Sequence, residues 1–322
     1  MSKYFDGKEM SFLAPEVKEN GRHMIMTNVQ TECKTKYVNI DTRFQEEYNM
    51  QNFADITFKL PQQISNVKSI NVTNIELPAS FYPFSLRRKN TYFKIVNVLT
   101  PSNPIKIRID DRSYSTTTLL DAINYQLDKY NLSNDISFSI HTEDYANDDN
   151  TLGNTFKVDI YNKSPTNNNY TLSFNVDEMG NTDKYNLKSK LGWCLGFREP
   201  TYDLKYNVEL VSEGLINVNP FTYLFISVDD FLSNAPNSFI APSVQSYMNS
   251  NILGRISLDP WFSSFGGQIV ASHMTGRLLS DRRTYEGKHD IQKLRIQILD
   301  EFGVVVDLNK MDFSFTLEIV YM

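Results

Sequence analysis

The alternation of apolar and polar residues changes character several times along the chain. Residues 1 to about 37 hold isolated Met and Phe among mixed charges, with no sustained period. They read as an extended arm with no face of its own to bury, either disordered or laid on a neighbour.

From Phe53 the period becomes two. FADITFKL (53–60) alternates well enough for a strand, and NVKSINVTNIELP (66–78) places Val67, Ile70, Val72 and Ile75 near period two, with one slip that a bulge would absorb. Pro61 and Pro78 read as the stops of this pair. Two more alternating runs, TYFKIVNVL (91–99) and PIKIRID (104–110), are joined by TPSNP, which has the chemistry to reverse the chain.

One helix is expected. STTTLLDAINYQLDKYN (115–131) offers Ser or Thr as N-cap and sets Leu119, Ile123, Leu127 and Tyr130 on one face at helical spacing. Three short strands follow, in DISFSIHT, NTFKVDIYN and NYTLSFNV, and then the apolar LGWCLGFR (191–198). This is the make-up of a small α+β module.

The long-strand style then resumes through KYNVELVSEGLINV, TYLFISVDDF, NILGRISLD and GQIVASHM to two terminal strands. The second part of LRIQILDEFGVVVDL reads as a strand after a turn at Asp300 to Gly303, and MDFSFTLEIVYM as the strand that closes the fold. The expected architecture is mainly β: a jelly-roll β-sandwich with an inserted small α+β domain. Its parts are an arm at 1–37, a first jelly-roll part at 38–103, the insertion at 104–203 and a second jelly-roll part at 204–322.

Composition agrees with this and narrows the function. Phe (21) and Tyr (18) suit half-buried pleated surfaces. The net charge of -6, with both signs spread evenly, supplies no basic stripe for a nucleic-acid backbone, so direct nucleic-acid binding is not expected. No run approaches the roughly 18 apolar residues that span a bilayer, and the first residues lack a signal-peptide core, so a soluble product made in the cytosol is expected. Cys33 and Cys194 have no framework spacing and read as free thiols.

Catalytic motifs are missing. His23, His141, His273 and His289 show no H-x-H or H-E-x-x-H spacing, so a zinc site would have to be assembled wholly from tertiary contacts. SFGGQ (264–268) lacks the lysine and helix of a phosphate loop. The acid pairs Asp110 with Asp111 and Asp229 with Asp230, and the run EDYANDDN (143–150), read as solvated turns before they read as glycosidase or calcium chemistry. No enzymatic activity, cofactor or metal is expected. The binding candidates are loop aromatics: Phe81, Tyr82 and Phe84 in PASFYPFS, and Trp261, Phe262 and Phe265 in DPWFSSF, which would serve as interface anchors or as core plugs.

Four segments carry a family resemblance: VNIDTRF (38–44), ADITFKLPQQISNVKSINVTNIELPASFYPFS (54–85), LGWCLGFR (191–198) and YEGKHDIQKLRIQILDEFGVVVDLNKMDFSFTLEI (285–319). Together they resemble virion proteins of giant nucleocytoplasmic large DNA viruses, a family of minor capsid or vertex (penton) proteins built on a jelly roll. The resemblance implies a structural virion protein, most simply the penton, closing as a homopentamer beside major and minor capsid proteins. It implies assembly in the host cytoplasm and residence in the capsid. A minor capsid protein cementing the major capsomers, or a receptor- or glycan-binding β-sandwich module, are the alternatives.

Overall fold

The computed structural model describes residues 11–12, 16–20, 23–27, 30–45, 53–144, 152–183, 187–232, 251–258 and 265–322. Near the start, four short strands make two small ladders. They are β1 (Ser11–Phe12), β2 (Glu16–Asn20), β3 (His23–Thr27) and β4 (Gln30–Thr31), with β1 paired to β4 and β2 to β3.

The chain then forms β5 (Lys34–Asp41) and the 24-residue β6 (Asp55–Pro78). A second unit follows: β7 (Tyr92–Asn97), β8 (Ile105–Arg108), helix α1 (Thr116–Lys129), β9 (Ile136–Asp144), β10 (Leu152–Asn162), β11 (Tyr170–Ser173), the one-turn helix α2 (Leu191–Cys194), β12 (Thr201–Leu204) and β13 (Glu209–Val211). The return is through β14 (Tyr223–Asp229), β15 (Ile252–Ser257), β16 (Gln268–Ser272), β17 (Leu278–Ser280), the 17-residue β18 (Arg283–Leu299) and β19 (Ser314–Tyr321).

The largest sheet runs β17-β15-β14-β18-β6-β19-β5, with β16 also paired to β6. Every ladder in it is antiparallel. The fold is mainly β, with long, curled antiparallel strands in a jelly-roll-like arrangement. Strand β6 is continuous where two strands were expected, because Pro61 does not stop it. Its ladder with β18 shifts register between the pairs Lys59–Lys293 and Ile64–Ile291, and a proline with no N–H is tolerated at such a bulge. Residues 34–37, expected to end an arm, pair with β19. The strand expected at 304–308 is reduced to a single bridge between Leu299 and Val305.

Two large hydrophobic cores divide the chain. The first gathers β6, β14, β18 and β19 through residues such as Ile70, Leu77, Ile226, Ile296 and Phe315. The second draws on residues from Phe84 to Val218, so β7 and β13, which lie outside 104–203, are built into it. Its frame is a sheet of order β12-β11-β7-β8 and a sheet of order β13-β10-β9. Fully burying each such Leu, Ile or Phe contributes about 1.5–3 kcal/mol, so both cores are substantial.

Helix α1 forms where the spacing predicts it. Ser115 and Thr118 make a reciprocal capping box, and Leu119, Ile123 and Leu127 are buried against β8 and β9. Asn124 docks the helix on β9, giving its amide to the Phe138 carbonyl at 2.8 Å and accepting the Phe138 N–H at 2.9 Å. Tyr130 is not on the buried face: it is the C-cap, followed by Asn131 at φ 57°, and its ring is exposed.

In LGWCLGFR, Gly192 packs so closely on the Phe174 ring that a Cβ would stand 2.3 Å from its Cγ, and Gly196 holds φ 99°. The sequence is apolar here because the turn is an internal joint. Among the described residues, no helix is long and apolar enough to cross a membrane.

Candidate functional site

Among the described residues, polar or aromatic chemistry concentrates at the aromatic loops, at the junction between the cores and on the outer face of the three-stranded sheet, besides the buried pair of Arg283 and Asp230. In the first, the loop after β6 is tied to the loop before β16 by two backbone hydrogen bonds, Ala79 N–H to the Gly267 carbonyl and Gly266 N–H to the Ala79 carbonyl, both 2.9 Å. Phe81 is buried, edge-on to Phe221 with centroids 4.9 Å apart. Phe84 is fully buried in the second core, edge-on to Tyr114. Both are spent inside the chain and are not surface anchors, because the loop crosses from one core to the other. Tyr82 stacks on Phe265 with centroids 5.3 Å apart and planes 10° from parallel, and Phe265 is 53% exposed. Trp261 and Phe262 lie outside the described residues.

At the junction, Arg88 sits below the loop and holds both units. Its Nε lies 3.2 Å from the Asp300 carboxylate and its Nη2 2.6 Å from that of Glu301. Its plane covers the Phe221 ring at 3.9 Å, and Nη1 donates to the Pro83 carbonyl. Asp300 also accepts the N–H groups of Phe302 and Val304 at 2.9 Å, closing the turn after β18. Burial nevertheless pushes both carboxyls above their ordinary values, since the loss of water outweighs the attraction of Arg88.

A second buried cation stands nearby. Lys190 donates to Asp183 at 2.7 Å and to the Val176 carbonyl at 3.1 Å, and its ammonium lies 5.9 Å from the Tyr92 ring centroid. Burial pushes the Tyr92 phenol up to about 12. A cavity of about 270 Å³, lined by Arg88, Lys190, Asp183, Asp300 and Gly303 among others, separates the two ion clusters. The arrangement is that of a polar joint: the two buried cations, Arg88 and Lys190, each face a carboxylate.

The third place joins three strands. His141 on β9, Asp159 on β10 and Glu209 on β13 bring one imidazole nitrogen and two carboxylate oxygens within 4.8 Å of one another. Asp159 is buried and holds the His141 Nδ1 at 2.8 Å.

None of these polar residues was singled out by spacing, and the reason is topological. Arg88 meets residues more than 200 positions away, and His141, Asp159 and Glu209 come from three strands. The one usable signal was charge in the wrong place: Lys190 immediately before an apolar run, and DE between two strands at 300–301. Of the acid runs, EDYANDDN falls mostly outside the described residues.

No protein-family model and no curated protein matches the sequence. Among solved structures, the chain is similar to the penton protein of mavirus, known from a crystal structure. The alignment has a TM-score of 0.42 and 11% identity, and it covers 90% of this chain and 99% of that one.

Proposed function

We infer that this chain is a structural capsid subunit of a large icosahedral DNA virus, placed at the vertex and closing as a homopentamer, and that it works without catalysis. The observation that carries this reading is the open outer edge of β5. Among the described residues no strand pairs with that edge, although β5 is eight residues long and its inner side is fully laddered to β19. Lys34 and Lys36 are exposed along it and Tyr37 is 64% exposed. Edge lysines discourage indiscriminate strand addition while leaving the backbone available to a chosen neighbour. A subunit that meets copies of itself under rotational symmetry needs such a surface, with an arm leading into it.

The residues behind the family resemblance support the same reading. VNIDTRF lies on β5 and the short turn after it, the 54–85 segment on β6 and the loop beyond, and the 285–319 segment on β18 and β19. These strands are consecutive neighbours in one sheet, in the order β18-β6-β19-β5. The fourth segment, LGWCLGFR, is the α2 turn inside the second unit, so the likeness concerns the frame, its edge and the joint of that unit. In this reading the second unit, residues 84–218, projects from the sandwich, and major and minor capsid proteins are the neighbours.

The mass of the purified protein by light scattering, over a range of salt and concentration, tests it. A particle of five 37.2 kDa chains is expected, dissociating when the β5 edge is blocked by Tyr37→Pro, at an exposed position whose N–H lies on the open side. A stable monomer would replace the vertex reading with that of a minor capsid protein that orders only on the shell.

A further inference from the structure

We propose that His141, Asp159 and Glu209 form a binding site for a divalent transition-metal ion of the zinc class on the outer face of the second unit's three-stranded sheet.

The strand register builds this cluster. Asp159 stands opposite Ser139 on one side and Val211 on the other. His141 is two residues on from Ser139, and Glu209 two residues before Val211, so with side chains alternating along each strand all three project from one face. The opposite face carries Phe138, Ile140, Val158, Ile160 and Leu210 into the second core. The three polar side chains are therefore on the side away from that core, with Glu209 exposed to solvent and Asp159 only 4% exposed.

Two features point to a cation. First, the donor set is one imidazole and two carboxylates, with all three ligand atoms within 4.8 Å. Ligands sharing one zinc at bonds of about 2.0–2.2 Å stand roughly 3–3.5 Å apart, which small side-chain movements reach from here. Second, Oδ1 of Asp159 is buried and accepts no hydrogen bond, although Oδ2 of the same carboxylate is held by His141 at 2.8 Å. Buried carboxylate oxygens are nearly always satisfied, and this one is in the group facing Glu209. Two carboxylates brought together on a sheet repel unless a proton or a metal cation lies between them: Asp159 beside it raises the Glu209 carboxyl above its ordinary value, and a divalent ion with a neutral imidazole would displace that proton and make the set neutral.

Three protein ligands leave a fourth position toward solvent. Bound there, the ion would fasten the short strand β13 to the β9–β10 hairpin, a structural role that needs no reaction.

The test uses the full-length protein after dialysis against a chelator. Titration calorimetry with zinc chloride is expected to give one saturable site per chain, and the melting temperature to rise by about 5 °C at a hundredfold excess over Kd. Cobalt(II) in place of zinc should give the visible absorption of a low-coordinate nitrogen and oxygen site. Glu209→Gln, at an exposed position, should weaken binding by more than about tenfold while the metal-free melting temperature is kept or raised, and His141→Gln should weaken binding as well. Absence of saturable binding overturns the proposal. So does binding that both variants leave unchanged, which would place the ion elsewhere on the chain.

Discussion

Phe81 and Phe84 are three residues apart on one loop and are buried in different hydrophobic cores, the first against Phe221 and the second against Tyr114. That short passage, fastened below by Arg88, makes the loop the mechanical link between the sandwich and the second unit. Its aromatics are anchors within the chain.

Phe81→Ala and Phe84→Ala should each cost about 3–5 kcal/mol, the range for emptying a buried phenylalanine site. Calorimetry should assign the two losses to different transitions, the sandwich for Phe81 and the second unit for Phe84. A single transition lowered equally by both would mean that the two cores unfold as one.

Arg88→Met removes the cation facing Asp300 and Glu301 and should cost about 3–5 kcal/mol in urea unfolding, since both carboxylates are then buried without a counter-charge. Adding Asp300→Asn and Glu301→Gln should recover most of the loss. If the triple variant stays as unstable as the single one, the effect lies in the lost cover over Phe221.

The same pair sets a pH dependence. Burial raises the folded pKa of Asp300 and Glu301 above the ordinary values of 3.8 and 4.5, so the folded state binds protons more tightly than the unfolded one. Their contribution is fully present below those ordinary values and is lost as pH rises through the folded ones. Asp55 runs the other way. Arg295 and Gln297 hold its pKa down, so its contribution is present above 3.8 and lost as pH falls through the folded value. Stability curves of the Asp300→Asn, Glu301→Gln protein, compared with the parent from pH 3.5 upward, should lack the decline. Parallel curves would refute the assignment.

Native protein should titrate one fast thiol with a disulfide reagent, and two after denaturation. Cys33 is half-buried, whereas Cys194 is buried and its thiol is pushed up to about 11. Two fast thiols in the native state would show that the LGWCLGF joint opens.

What was legible in the sequence was whatever depends on near neighbours. The α1 helix was visible because Ser115 caps it and Leu119, Ile123 and Leu127 repeat at helical spacing, and the strands were visible as period two. Pro61 misled, because its effect depends on a bulge against β18, a strand more than 200 residues later. Phe81 and Phe84 misled for a related reason: aromatics beside prolines look alike whether a loop faces solvent or passes between two cores. The polar sites were illegible, since Arg88 with Glu301, and His141 with Asp159 and Glu209, are adjacent only after the sheets have formed.

The position of β19 between β5 and β6 also orders events during synthesis. Strand β5 is among the first parts of the sandwich to leave the ribosome, yet its ladder partner follows about 270 residues later, as the link from Thr42 to Asp312 measures. The second unit can gather its core while that strand is still waiting. A nascent chain halted before residue 314 would therefore carry a finished second unit and an unsealed sandwich, with β5 and one side of β6 open to any strand nearby.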